Sequence, residues 1–133
     1  MATYFSITDA NKILPTVIKK FNYSKMLKNE ITSIERQMGL ELTSKTSMED
    51  YIILKQKLNR KVTEFYQAIE DLESLGVVLK GLEQGLLDFP AKRFDEEIWL
   101  CWKEGETEIK FWHEKDSGFM GRKPISVSNE SLV

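Results

Sequence analysis

The chain has 133 residues, a formal net charge of −2 and 41% hydrophobic residues, which suits one globular domain and disfavours nucleic-acid binding driven by a basic excess. Its single cysteine excludes an internal disulfide framework and favours a reducing compartment. The N-terminus lacks a basic segment followed by an apolar run, and no apolar stretch reaches the ~20 residues of a membrane span. We therefore expect a cytoplasmic protein without a signal peptide or a membrane partner.

The first third of the chain has the apolar spacing of a helix over 5–42. Ser6 followed by Asp9 is typical of a capped helix start. Pro15 predicts a kink or a break, and the polar stretch 22–24 interrupts the apolar repeat. The apolar positions of this segment are Ala10, Ile13, Leu14, Val17, Ile18, Phe21, Leu27, Ile31, Ile34 and Met38.

A second helix, over 47–76, carries the most regular pattern in the chain. Ser47 is placed to cap its start, and Gly76 to end it in a left-handed conformation. The polar connection 39–47 is short, which predicts an antiparallel helical hairpin with a narrow seam like that of a coiled coil. We interpret this stripe as core packing, with a partner-binding helix as the alternative. Its members are Tyr51, Leu54, Leu58, Val62, Phe65, Ile69, Leu72 and Leu75.

Short β-branched and aromatic runs over 77–113 predict an antiparallel β-meander of about four strands after the hairpin, and so an α+β fold. A closing loop, 114–124, follows, and 125–133 has the composition of a flexible tail. We expect 1–124 to form a single domain.

Glu104-Gly105 separates the last two runs of the meander and predicts a two-residue hairpin turn. In that register Leu100 faces Ile109, and Glu96 faces His113, on one largely apolar face. The opposite face then carries two tryptophans, Trp99 and Trp112, which we expect to be exposed or half-exposed.

The segments GLLDFPA, LCWKEGE and FWHEKDSGFMGRKP, together with the opening FSITDANKILP, resemble a prokaryotic family of small proteins catalogued as domain of unknown function 2203. The resemblance covers 5–124 and is most specific over 85–124. Asp95-Glu96 departs from the Asp-Gly turn expected there. The resemblance implies a bacterial or archaeal origin and one shared domain, and it supplies no activity, cofactor or catalytic residue.

His113 is the only histidine, and it lies near Asp116 in sequence, with Asp88 on a neighbouring predicted strand. Histidine with carboxylates can bind a metal, act as a general base, or form a structural hydrogen bond. His113 and Asp116 are therefore candidate metal ligands, and a dimer axis could supply a second histidine. Arg122 follows two glycines and can either pair with a carboxylate or bind an anion. The candidate ligand-binding cluster is Asp88, His113, Asp116 and Arg122.

Cys101 lies within a predicted strand between apolar residues, and we interpret it as a small buried filler. The exposed tryptophans and the helical stripe favour a self-associating, non-enzymatic module, with a dimer as the expected form. Association with RNA or the ribosome is a further alternative. The interface candidates are Trp99, Trp112, Leu58 and Phe65, and the basic cluster for RNA is Lys12, Lys19, Lys20, Lys25 and Lys28.

Overall fold

A computed structural model describes residues 4–43 and 47–125. Residues 126–133 of the predicted tail (125–133) and residues 44–46 of the helical connection lie outside the described residues. No helix within the described ranges is long and apolar enough to cross a membrane. The elements of these ranges are α1 (Ile7–Thr43), α2 (Met48–Glu73), β1 (Val78–Gly81), β2 (Leu86–Arg93), β3 (Glu96–Lys103), β4 (Phe111–Glu114), a 3-10 turn (Phe119–Gly121) and β5 (Lys123–Pro124).

The α+β prediction is confirmed, with two long helices in a hairpin followed by a five-stranded antiparallel sheet among the described residues. Both predicted caps form, since the Ser6 hydroxyl accepts a hydrogen bond from the Asp9 amide at 3.0 Å and the Ser47 hydroxyl accepts one from Asp50 at 3.2 Å. Gly76 ends the second helix at a φ of +99°.

Helix α1 runs without a break through Pro15 and through 22–24, so the predicted break is wrong. Pro15 is exposed, and water can therefore bind the backbone carbonyl that loses its helical partner. Ser24 is fully buried and continues the apolar stripe, because its hydroxyl donates a hydrogen bond to the Lys20 carbonyl at 3.0 Å. Ser24 thus occupies a buried position of the helix with its hydroxyl hydrogen-bonded, which explains the interruption of the apolar repeat at 22–24.

The chain forms two compact units, one comprising 20–71 and the other comprising 1–19 with 72–133. The first unit is the helical hairpin, in which Lys61 of α2 pairs with Glu30 of α1 at 2.8 Å. The second unit contains the sheet, the start of α1 and the end of α2. The candidate ligand-binding residues Asp88, His113, Asp116 and Arg122 all belong to this second unit.

Strand order follows chain order, β1 to β5, and every neighbouring pair is antiparallel. The turn between β2 and β3 has two residues, Phe94 and Asp95, both with positive φ (51° and 66°). This conformation matches the right-handed twist of a hairpin but is unusual for residues with large side chains. Residues of β2 and β3 that are equally far from this turn pair with each other, so that Asp88 lies opposite Cys101.

The predicted turn at Glu104-Gly105 forms, since the Glu106 amide donates a hydrogen bond to the Lys103 carbonyl at 3.0 Å, but the hairpin register built on it is wrong. Strand β4 begins only at Phe111, and Leu100 pairs with Trp112 instead of Ile109. The intervening residues are held in a loop by side-chain contacts. Asn11 of α1 accepts a hydrogen bond from the Ile109 amide at 2.6 Å, and Glu106 accepts one from the Lys103 amide at 2.7 Å.

The corrected register exchanges the two faces of β4, because side chains alternate along a strand. Trp112 lies beside Leu100 on the inner face and is only 5% exposed. Phe89 is also on this face, and its ring packs edge-on against the ring of Phe5 with 5.3 Å between the centroids. His113 lies on the opposite face, beside Trp99. The outer face therefore collects the polar residues of three strands.

Candidate metal centre

Three side chains with different donor atoms meet on the outer face of the sheet. Asp88 of β2 lies directly opposite Cys101 of β3, and His113 enters from β4 opposite Trp99, two residues before Cys101. One oxygen, the sulfur and one ring nitrogen from this set all lie within 4.8 Å of one another. We call Asp88, Cys101 and His113 the outer-face cluster.

The outer-face cluster is buried, with exposed fractions of 2% for Asp88, 1% for Cys101 and 3% for His113. Buried polar groups of this kind require hydrogen bonds or a bound ion to offset their lost hydration. His113 Nε2 lies 3.0 Å from Asp88 Oδ2, so each group has a hydrogen-bond partner in the other. Asp88 is thus the carboxylate that contacts His113, one of the two aspartates considered from the sequence.

The second ring nitrogen of His113 fixes the tautomer. Nδ1 lies 2.8 Å from the backbone carbonyl of Glu114, and a carbonyl can only accept, so Nδ1 carries a proton. Nε2 and the Asp88 carboxyl then share one further proton between them. A metal ion that displaced this proton would find Nε2 already oriented, since histidine ligands commonly donate their other N–H to a carbonyl.

Burial raises the pKa of the Asp88 carboxyl, and the neighbouring His113 ring opposes that rise. Burial also raises the pKa of the Cys101 thiol to about 11, and the charge of Asp88 adds to the effect. Both nitrogens of His113 are engaged elsewhere, so the ring does not serve Cys101 as a base. This arrangement does not activate a cysteine nucleophile.

Arg122 borders the outer-face cluster on the side of Cys101. Its guanidinium lies 3.7 Å from the Phe111 ring centroid, and Nη2 donates to Glu106 Oε2 at 2.9 Å. Among the described residues, its buried Nη1 has no hydrogen-bond partner. The guanidinium opposes the rise in the Cys101 pKa, and so favours a thiolate. A positively charged group that interacts with the thiol fits a site in which sulfur becomes negative.

The spacing of the donor atoms is close to that of a zinc site. Zinc bonds of about 2.0–2.3 Å in tetrahedral geometry place two ligand atoms roughly 3.3–3.6 Å apart. The Asp88–His113 contact of 3.0 Å would lengthen slightly, and separations of up to 4.8 Å would shorten by about 1 Å. Side-chain rotations of buried residues on fixed strands can supply changes of this size.

The structure brings together two of the four predicted cluster residues, Asp88 and His113. Asp116 is exposed and lines a different cavity, with Arg93 and Trp112, so it is not a partner of His113. Arg122 pairs with Glu106 instead of an aspartate. This ion pair ties the 3-10 turn region to the β3–β4 loop.

The interface candidates have different environments. Trp112 is buried, which contradicts the expected exposure, whereas Trp99 is half-buried with Lys80 Nζ 4.3 Å from its ring centroid. Leu58 and Phe65 are half-buried along the stripe of α2. None of these four presents a fully exposed side chain.

Cys101 was expected to be buried, and it is, but its part in the cluster was missed. Its neighbours in sequence are apolar, and its polar partners come from other strands. One signal could have located it. In a two-residue turn at Phe94-Asp95, residues equally distant from the turn face each other, which pairs Asp88 with Cys101.

A family model described as "Uncharacterized conserved protein (DUF2203)" matches residues 3–125. The chain belongs to the DUF2203 family. No curated protein and no solved structure matches it. The match covers the whole sheet, so the outer-face cluster lies within the DUF2203 region.

Proposed function

We propose that this DUF2203 protein binds a divalent transition metal of the zinc class through Asp88, Cys101 and His113. One observation carries the proposal: three buried donors of the kinds that zinc accepts converge within 4.8 Å from three neighbouring strands. Two further features support it: the Nδ1–H tautomer of His113, which leaves Nε2 to face a metal, and the positive charge of Arg122, which acts on Cys101.

The donor types select the metal. Calcium and magnesium prefer oxygen ligands, and two of the three donors are sulfur and nitrogen. Zinc and cobalt accept all three atoms in one tetrahedral site. Three protein ligands leave one coordination position open, as in catalytic zinc sites and unlike closed structural ones.

Titration with Co²⁺ and then Zn²⁺, in competition with a chromophoric chelator, tests the proposal. We expect one equivalent to bind, with the sulfur-to-cobalt charge-transfer absorption that reports a thiolate ligand. Cys101→Ser and His113→Gln should each weaken binding by more than about 100-fold, because each removes a direct ligand. Asp116→Asn is the matched control, since that exposed carboxylate lies outside the cluster.

Two results would overturn the metal proposal. One is the absence of stoichiometric binding to the wild-type protein. The other is equal affinity in wild type and Cys101→Ser, provided that tryptophan fluorescence shows both to be folded. All three tryptophans lie in the unit that contains the cluster, so this signal reports the relevant fold.

The site requires a reduced thiol, and Cys101 is free. Reducing compartments keep such thiols available, and so we propose a cytoplasmic location for the protein. Separation of cell fractions, followed by detection of the protein, tests that location.

We also propose, as a second candidate function, that the helical hairpin associates with a second copy of the chain. Large exposed apolar side chains among the described residues concentrate in this unit, including Tyr23 and Met26 of α1 and Ile53 and Tyr66 of α2. Ile53 is 61% exposed and Tyr66 is 68% exposed. Exposed apolar side chains on long helices favour association.

Sedimentation equilibrium over the micromolar range tests self-association. We expect a dimer for the wild type and a shift towards monomer for Ile53→Lys and Tyr66→Lys. Thr63→Lys places the same charge at another exposed position of α2 and should leave the dimer intact. A wild-type protein that is monomeric throughout this range excludes the candidate.

A further inference from the structure

A cavity of about 110 Å³ lies directly over the outer-face cluster. Asp88, Cys101 and His113 form part of its lining, so a metal held by them borders this cavity. The open coordination position described above is therefore available to a ligand that enters the cavity. The remaining lining comes from Lys80, Leu86, Trp99, Lys115, Ser117, Gly118 and Phe119.

The charges around the cavity favour an anion once a metal is bound. A divalent ion is balanced by the Asp88 carboxylate and the Cys101 thiolate, and a coordinated His113 is neutral. Lys115 is neutralised by its ion pair with Glu97. Among the described residues, Lys80 has no carboxylate within ion-pair distance, and so one positive charge remains on the lining.

Lys80 is held in place by an aromatic contact. Its Nζ lies 4.3 Å from the centroid of the Trp99 ring, and Trp99 also lines the cavity. Lys80 and Asp88 line the same cavity, together with Cys101 and His113. Lys80 is therefore placed to contact a ligand bound beside Asp88.

The cavity has room for a small ligand. Its volume of about 110 Å³ is several times the roughly 10–15 Å³ that a cavity needs to hold one water molecule. Acetate, carbonate and phosphate are ligands of a few heavy atoms that suit a cavity of this volume. Oxygen anions also suit both the open position of a zinc-class metal and a lysine ammonium.

We propose that the metal-loaded site binds a small oxyanion, with one oxygen on the metal and Lys80 as the residue that pairs with the anion. This inference rests on the proposed metal site. It assigns the ligand class and a specificity-determining residue that takes no part in holding the metal.

The test uses the full chain loaded with Co²⁺, whose visible absorption changes when its fourth ligand changes. Acetate and phosphate are titrated separately, which distinguishes a carboxylate ligand from a phosphate. We expect saturable spectral changes with at least one of them. Lys80→Gln should raise the dissociation constant of that anion about tenfold, the effect of losing one charge contact.

Lys110→Gln is the matched control, because it removes an exposed lysine that does not line the cavity. We expect this control to bind the anion as the wild type does. Cobalt affinity should not fall in Lys80→Gln, which separates anion pairing from a structural role.

The outcomes distinguish this inference from the proposal on which it rests. Bound cobalt with no spectral response to either anion overturns the oxyanion inference and leaves the metal site intact. Equal anion affinity in Lys80→Gln and wild type removes the role of Lys80. Failure to bind cobalt overturns both proposals together.

Discussion

At the scale of single residues, Cys101 has a thiol pKa of about 11, raised chiefly by burial. The thiolate is the reactive form of cysteine, and at neutral pH it would be only about one part in ten thousand of the thiol. Among the described residues, Asp88 and His113 are the side chains that could bind a metal together with Cys101. Burial therefore protects the thiol of Cys101 from reagents in solution, and the thiol stays free to bind a metal held by Asp88 and His113.

We predict that the metal-free folded protein reacts with a disulfide reagent such as Ellman's reagent more than about 100-fold more slowly at neutral pH than the unfolded protein does. Cys101 is the only cysteine, so the whole signal belongs to it. The same sample in guanidinium chloride is the internal control. Rapid reaction in the folded state would contradict the burial and raised pKa of this thiol.

Glu97 gives a pH-dependent contribution to stability elsewhere in the same unit. It accepts hydrogen bonds from the Lys115 ammonium and the Tyr4 hydroxyl, which lower its pKa below the usual 4.5 in that order of importance. A lowered pKa in the folded state stabilises the fold above the unfolded value, and that contribution is lost as the pH falls through the folded value.

We predict that Glu97→Gln lowers the free energy of unfolding at neutral pH and that this difference becomes smaller in acid, as the pH falls from the usual glutamate value of 4.5 through the lowered pKa of Glu97 in the folded protein. Urea unfolding followed by tryptophan fluorescence measures both values. Glu83→Gln, at an exposed position in the β1–β2 turn, serves as the control. An equal loss at both pH values would show that charge is not the cause.

At the scale of elements, the β2–β3 turn fixes the register that aligns Asp88 with Cys101. Its two residues, Phe94 and Asp95, both adopt positive φ, and Phe94 is 70% exposed. Left-handed backbone costs roughly 1–2 kcal/mol for an ordinary residue, and less for asparagine or glycine. The turn is therefore held by the strands around it, including the stacking of Arg93 on the Phe94 ring.

We predict that the double variant Phe94→Asn, Asp95→Gly raises the free energy of unfolding by about 1 kcal/mol, because Asn-Gly suits this turn. Gly105→Ala is the opposite control. Gly105 has a φ of +103° with no atom within 4 Å of an added Cβ, so alanine should destabilise through backbone strain alone. A double variant no more stable than wild type would show that the turn is unstrained.

The helices were predictable from sequence because their apolar spacing and caps are local signals. The pairing of β3 with β4 was not, because it depends on Asn11 of α1, which binds the Ile109 amide from far away in sequence. Local turn chemistry at Gly105 favoured a tight hairpin, and tertiary contacts overrode it. His113 and Asp88 could be named as candidates by residue type, but their burial and contact required the register.

At the scale of the whole molecule, a metal that binds only the folded state stabilises it. Because the Cys101 thiol must lose its proton to become a ligand, binding should release at least one proton and tighten about tenfold per pH unit for each proton released. The gain in stability should therefore grow with pH below the thiol pKa of about 11.

We predict that Zn²⁺ at 100 times its dissociation constant raises the free energy of unfolding by about 2.7 kcal/mol. Thermal unfolding followed by tryptophan fluorescence, with zinc or with chelator, measures this change. Cys101→Ser should show no comparable increase. Proton release is measured by calorimetry in buffers with different heats of ionisation, and an identical heat in all buffers would contradict it.

Helix α1 belongs to both compact units, contributing 7–19 to one and 20–43 to the other. In chain order the hairpin unit is thus an insertion between two parts of the unit that carries the sheet. Whole helical turns removed in equal number from both arms would shorten this insertion without changing any residue of the sheet. Evolution or an engineer could vary the length of the arms, and the outer-face cluster would keep all three of its donors.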